Sequence, residues 1–294
     1  MILLAGAVTR GLLLGGVYAL IALGFVLIYK STQILNFAQG YMVMLGGFIC
    51  FACTNQLGLP LPVGLILSLA AGYGMGLFIE RTMMRPMIGQ PILAAVIMTL
   101  ALSSLLDAIR LGVWGEWGRS LGFFPLTGRE IGPLILSDSL IICFIVALVA
   151  IGAFLWFFRR SMLGLAMRGV GEDNQLAQSV GVKVKMVFST VWGISGVISV
   201  IGGILLGAVC TVGTSLANFG MIALAVALFG GLESVGGCLA GGLVVGVAEQ
   251  LASTYLDPLV TAGGVAEVFP YVLMMIVLIV RPYGLFGLER IERV

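Results

Sequence analysis

The chain has 294 residues, of which 60% are hydrophobic and only 10% charged. Soluble domains carry roughly 25% charged residues, so a water-exposed fold is excluded and a lipid-solvated one is implied. A net charge of +2 argues against a nucleic-acid partner, and the absence of any His removes the commonest general base and metal ligand.

The 43 Gly are about twice the usual share of roughly 7%. In apolar segments, small residues let transmembrane helices approach closely. Cys50, Cys53, Cys143, Cys210 and Cys238 all sit in apolar runs. They read as small buried residues, not as metal ligands or disulfides, and no cofactor is expected. The N-terminal stretch lacks a basic segment before its first apolar run, so that run is expected to remain as a span.

Taken in chain order, apolar runs divided at charges, Pro and Gly clusters predict spans at 11–29, 37–54, 61–80, 91–112, 138–158, 186–210, 216–231, 236–256 and 266–280. The seventh is short and reads as a half-helix. The fold class is therefore all-α: a polytopic transmembrane helical bundle of about nine spans, between eight and ten, forming one domain over 1–294.

Loop charges set the orientation. With the C-terminus inside, the inner segments hold Lys30, Arg81, Arg85, Arg159, Arg160, Arg168, Lys183, Lys185, Arg281, Arg290 and Arg293. The outer side holds only Arg10, Arg110, Arg119 and Arg129. The expectation is N-terminus out and C-terminus in. Trp114, Trp117, Phe123 and Phe124 suit an outer membrane–water interface.

Polar side chains inside spans usually face protein or a water-filled path. Asn36 and Gln39 open the second span. Thr99, Ser103 and Asp107 recur every four residues and share a stripe on the fourth. Asp107 lies three residues from Arg110, the spacing of a local ion pair. Glu249 stands roughly 10 Å below the outer end of the eighth span at 1.5 Å per residue, and reads as the most deeply placed carboxylate. Met42 and Met44 read as packing. Arg281-Pro282 reads as an inner anchor and a helix stop.

TQILNFAQGYMVMLGGF (32–48) echoes GTSLANFGMIALAVALFGG (213–231), with Asn36-Phe37 aligned on Asn218-Phe219. The two segments start on opposite sides, which would make an inverted repeat. Transporters often place their pathway at such a repeat interface. The candidate pathway residues are Asn36, Phe37, Gln39, Gly40, Thr99, Ser103, Asn218, Phe219 and Glu249.

The longest polar stretch runs inside from 159 to 185. Within it, Leu165, Met167, Leu176 and Val180 suggest one apolar side. A short helix from Gly171 to Gly181 would carry Glu172 and Asp173 in its first turn, where the helix dipole favours negative charge, and Gly181 at its end. The segment reads either as a handle for a cytoplasmic partner or as a solvated loop.

GGVYALIALGFVLIYKST followed by NFAQG, then ERTMMRPM (80–87), E-D-x-x-x-A-x-x-x-G (172–181), LFGGLESVGGCLAGG (228–242) and RPYGLFG (281–287) are similar, in this order, to the permeases of branched-chain amino acid ABC importers, the Liv type, H-type subunit. The resemblance implies a single transmembrane permease domain over 1–294 in a bacterial inner membrane. It implies that the 161–185 loop carries a coupling helix docked on an ATP-binding subunit, with Arg168, Glu172, Asp173, Ala177 and Gly181 at the contact. It also implies a second homologous permease, two cytoplasmic ATP-binding subunits and a periplasmic solute-binding protein. Many members carry His and Glu where Gln39 and Tyr41 stand here, so an ionic role at this point is absent and the solute need not be leucine.

No G-x-x-x-x-G-K-[ST] phosphate loop is present, so this chain is not expected to hydrolyse ATP or to act as an enzyme. The rival readings are an ion-coupled secondary transporter working without ATPase subunits, and a non-transporting membrane scaffold or intramembrane enzyme.

Overall fold

The computed structural model describes residues 1–124, 128–131, 134–260 and 264–287. Its α-helices are α1 (Ile2–Thr32), α2 (Gln39–Phe51), α3 (Leu61–Ile79), α4 (Ile92–Trp114), α5 (Asp138–Arg160), α6 (Met162–Glu172), α7 (Asn174–Ser179), α8 (Val184–Val209), α9 (Ser215–Gly230), α10 (Val235–Tyr255) and α11 (Val265–Val280). In hydrocarbon a backbone must satisfy its own hydrogen bonds, which is why the long apolar runs are helical. An antiparallel hairpin of β1 (Gly128–Ile131) and β2 (Leu134–Ser137) is the one sheet among the described residues.

Each predicted span coincides with a helix, but three are short. Six helices are long and apolar enough to cross a membrane, beginning at Ile2, Leu61, Ile92, Asp138, Val184 and Val235. α2 has 13 residues before a π-helical turn over Ala52–Gln56, and α9 and α11 have 16 each. The first helix starts well before residue 11, because a single Arg10 near a helix end does not interrupt the ladder. Arg290 and Arg293, counted among the inner charges, lie outside the described residues, as does the Arg129 side chain.

α1 is the hub. Its buried residues run without a break from Leu13 to Ile28, on every side of the helix. A helix apolar all round is one surrounded by protein or lipid, and here protein surrounds it: α10, α8, α5 and α9 all pack on it. The tightest partner is α10, which runs antiparallel. A Cβ added at Gly242 would stand 2.6 Å from the Gly15 carbonyl oxygen and 2.7 Å from the Ala19 Cβ. One added at Gly246 would stand 2.5 Å from the Gly11 carbonyl oxygen. The backbones therefore touch, and glycine is required at the crossing. α3, α4 and α5 instead expose most of their apolar surface outward, as lipid-facing helices do.

The break between α1 and α2 shapes the interior. α1 ends at Thr32 with Gln33 left-handed (φ 56°). The chain then turns back along α1, so that Gln39, the first residue of α2, packs on Gly24. Residues 33–38 are thus a non-helical link, in which Asn36 and Ala38 are buried and the other four residues are partly exposed. In hydrocarbon such backbone is tolerated only where protein or a polar cavity satisfies it.

The glycine contacts generate a prediction. Gly242→Ala should lower the thermal midpoint of the detergent-solubilised protein, by an overpacking cost of about 1–3 kcal/mol. Gly74→Ala, on the exposed face of α3 with nothing within 4 Å of the added Cβ, should leave it unchanged or raise it, since Ala is favoured over Gly in a helix by about 0.5–1 kcal/mol.

Candidate translocation pathway and coupling surface

Four of the expected pathway residues converge with Thr99 around the broken segment. Asn36 and Gln39 are buried. Asn36 Nδ2 donates to Gln39 Oε1 at 3.1 Å, and Asn36 Oδ1 accepts from the Ala38 N–H at 3.1 Å, closing the turn into α2. Gln39 Nε2 donates to Ser199 Oγ at 3.0 Å, and Ser195 Oγ donates to Gln39 Oε1 at 3.0 Å. Thr99 of α4 borders the loop: its hydroxyl accepts from the Phe37 N–H at 3.3 Å and donates to the Val96 carbonyl of its own helix at 2.8 Å, with the Leu35 carbonyl 3.3 Å away. Gly40 lets α2 cross α9, where a Cβ would meet the Ala217 carbonyl oxygen at 2.6 Å. The result is a neutral polar knot joining the 33–38 link, α2, α4 and α8.

Ser103 does not join it. Its hydroxyl donates to the Leu100 carbonyl of its own helix at 2.6 Å. Ser195 and Ser199 complete the knot and escaped the sequence reading. Their i,i+4 spacing in an apolar helix is the available signal, but Ser199 also bonds back to the Ser195 carbonyl at 2.8 Å, a common use of Ser in such helices.

Asn218, Phe219 and Glu249 meet at a second place. They line a cavity of about 340 Å³ together with Ser215, Glu267 and Tyr271. Tyr18 of α1 donates its hydroxyl to Glu249 Oε1 at 3.1 Å, while Phe219 stacks on the Tyr18 ring with centroids 6.0 Å apart. Tyr18, Glu267 and Tyr271 were not singled out from sequence, because each lies in an apolar run or at its end. None of Asn36, Gln39, Thr99, Ser195 and Ser199 lines this cavity.

Glu80, just past the end of α3, is also buried, at 1% exposure against 6% for Glu249. Arg85 grips it with two bonds, Nε to Oε1 at 3.1 Å and Nη2 to Oε2 at 2.8 Å, and the Ser189 hydroxyl donates to Oε2 at 2.8 Å. The Asp107–Arg110 pair forms as expected at 2.8 Å, and Arg110 Nη1 donates to the Gly115 carbonyl at 2.9 Å, closing the end of α4. Met42 and Met44 are fully buried packing residues.

The polar segment is two helices rather than one. Asp173 caps α7, its Oδ1 accepting from the Gln175 N–H at 2.8 Å and the Leu176 N–H at 3.0 Å. Glu172 is not in that first turn: it ends α6. Asp173 is extended (φ −151°, ψ 111°), which breaks the helix between them. Gly181 closes α7 in the left-handed region (φ 89°). The four apolar residues do not share a side. Met167 is buried with Val170 and Ala177, whereas Leu165, Leu176 and Val180 face outward.

Two contacts fasten this segment to the bundle. Arg168 lies over the Phe158 ring at 5.2 Å and donates to the Phe158 carbonyl. Gly171 lies directly on the Lys30 carbonyl, with no room for a side chain. Lys30 in turn donates to the Glu233 carbonyl at 3.0 Å. Among the described residues no group of three or more His, Cys, Asp or Glu could hold a metal, and all five cysteines are free thiols.

The knot yields a test. Gln39→Ala removes the acceptor of the Ser195 hydroxyl and of Asn36 Nδ2 and the donor to Ser199, and a buried group left unpaired costs about 1–3 kcal/mol. A clear drop in thermal midpoint is expected, whereas Ser103→Ala should leave it unchanged.

Comparison with known proteins follows these features. The family model described as "Branched-chain amino acid transport system / permease component" matches residues 7–278. The permease protein LivH of Salmonella typhimurium, named for a high-affinity branched-chain amino acid transport system, is 29% identical over 97% of this chain and 96% of that protein. The corresponding permease BraD of Pseudomonas aeruginosa is 27% identical over the same shares. A solved structure, PsaBC from Streptococcus pneumoniae in complex with Fab, aligns with 97% of this chain and 94% of that one at 13% identity and a TM-score of 0.47. A match spanning nearly the whole helical bundle makes this multi-pass membrane protein a member of the family of branched-chain amino acid transport permease components.

Proposed function

We propose that this chain is the membrane-spanning permease subunit of an ATP-binding-cassette importer, carrying branched-chain amino acids or a related small polar solute into the cytoplasm. The observation that carries the reading is the polar two-helix element seated on the end of the hub helix. α6 rests on α1 through Gly171 and Lys30, and α7 offers an outward apolar face, with Leu176 and Val180 at 65% and 74% exposure. A face of that kind outside the apolar spans suits a protein partner. Two cytoplasmic ATP-binding subunits are its occupants in this reading, and Arg168, Glu172, Asp173, Ala177 and Gly181 shape the contact. A second homologous permease and a periplasmic solute-binding protein complete the complex, in a bacterial inner membrane.

The orientation is N-terminus out and C-terminus in, with nine membrane-inserted helices in one domain over 1–294. Helix directions alternate along the chain in support of this. Lys30, Arg168 and Glu233 gather at one end of the bundle, while Arg110, Arg119 and Trp114 gather at the other. α2 and α9 are the short helices of an inverted repeat: each follows a long helix, and they cross antiparallel at Gly40 and Gly220. The pathway follows their interface, with Asn36, Phe37, Gln39, Gly40 and Thr99 on one side and Asn218, Phe219 and Glu249 on the other.

The coupling surface is tested by Leu176→Asp with Val180→Asp in the assembled importer. Solute-stimulated ATPase activity should fall at least about tenfold, the loss expected when an anchor worth about 1.4 kcal/mol leaves an interface. Unchanged assembly and activity would move the docking site elsewhere. Uptake by this chain alone in liposomes, without ATP, would instead establish an ion-coupled secondary transporter.

A further inference from the structure

We propose that the cavity between α9, α10 and α11 binds the ammonium group of the transported solute, with Glu249 as its counter-ion. The proposal rests on the importer reading and names what one end of its solute must carry.

Glu249 is 94% buried by its 6% exposure, and only one of its two carboxylate oxygens is used. Oε1 accepts the Tyr18 hydroxyl; Oε2 is buried and has no hydrogen-bond partner among the described residues. A carboxylate in the membrane interior is costly, and such groups mark solute or ion paths or pair with another charge. No Lys or Arg lines this cavity, and a second carboxylate, Glu267, stands on its rim. A strut for Tyr18 would need one oxygen and no open cavity. Here the second oxygen is left for a donor from outside the chain.

The walls match an organic cation. Phe219 and Tyr271 present aromatic surface, which favours an ammonium close to a ring face. The volume, about 340 Å³, lies at the lower end of the range for small-ligand pockets, roughly 300–1,000 Å³. Divalent hard cations want six or more oxygen ligands, and among the described residues no cluster of three ligating side chains exists. Two carboxylates, with no Lys or Arg among the described lining residues, also repel a solute's carboxylate, so an amino acid would enter amine first.

The charge of the cavity can be read without transport. Ser215 lines it and is exposed. In the assembled complex, with the native cysteines replaced, Ser215→Cys should react faster with the cationic trimethylammonium-ethyl methanethiosulfonate than with the anionic sulfonatoethyl reagent. Normalised to a free thiol, the expected ratio is about tenfold, the lower bound for field focusing in a charged cleft. Glu249→Gln should bring it toward unity, and so should Glu267→Gln, whose exposed side chain raises no folding question. A ratio near one in the unsubstituted cavity overturns the proposal. L-leucine and isoamylamine should both slow the labelling, and 4-methylpentanoate, which lacks the amine, should not. Equal protection by all three, or by none, overturns it; protection by sodium chloride beyond that of choline chloride assigns an inorganic cation and also overturns it. Full solute uptake by an assembled Glu249→Gln importer would do the same. If the unsubstituted complex shows no ATP-driven uptake, the importer reading fails separately, and the labelling ratio still reports the charge of the cavity.

Discussion

The fold depends on backbone touching backbone between α1 and α10. Lipid tails are as apolar as Leu side chains, so helices in a membrane gain nothing from merely hiding apolar surface. They gain by replacing loose lipid contacts with dense ones. Gly11 and Gly15 against Gly242 and Gly246 bring the two backbones into direct contact, with no room for a Cβ between them. That approach fixes α1 at the centre, and it brings Tyr18 of α1 within reach of Glu249 of α10. The same logic recurs where α3 meets α8 and where α2 crosses α9. Gly content, which in water would signal disorder, here sets the distances between elements.

From that centre the polar features follow in order. α1 is flanked by the knot at Gln39, by the cavity at Glu249, and at its end by α6 resting on Lys30. Four residues after Thr32, the non-helical link places Asn36 in the knot. α6 is thus joined to the knot by a short run of contacts and chain: Gly171 to Lys30, then the link to Gln39. The knot is neutral and every amide and hydroxyl in it is paired, which suits a rigid joint. The cavity holds two carboxyl groups, and one oxygen of Glu249 is unpaired among the described residues, which suits a ligand.

Each apolar run marked in the sequence falls on a helix among the described residues, because a long run with few charges is a strong signal whatever its periodicity. Sequence alone did not separate full crossings from short helices, since α2, α9 and α11 are as apolar as their neighbours. It marked Asn36, Gln39 and Glu249 because amides and carboxylates are rare in such runs. It missed Ser195, Ser199 and Tyr18, whose role appears only when distant helices meet. Residues 172 and 173 show the limit at finest grain. Both are acidic and either suits a helix start, but only Asp173, with the shorter side chain, reaches back to two amides of α7. Gly171 was read as a helix start, whereas its function is steric contact with α1.

The centrality of α1 has a consequence for assembly. It is made before its partners, yet its closest neighbours come from the far end of the chain: the hydroxyl of Tyr18 finds its acceptor 231 residues later. Ribosomes add about 5–20 residues each second, so α1 spends on the order of 10–45 s in the bilayer before α10 exists. During that interval its glycine face lies bare to lipid. The helix that becomes the best protected in the finished protein is thus the one longest in need of protection while it is built, and insertion machinery that shelters small-residue helices would act first on this segment.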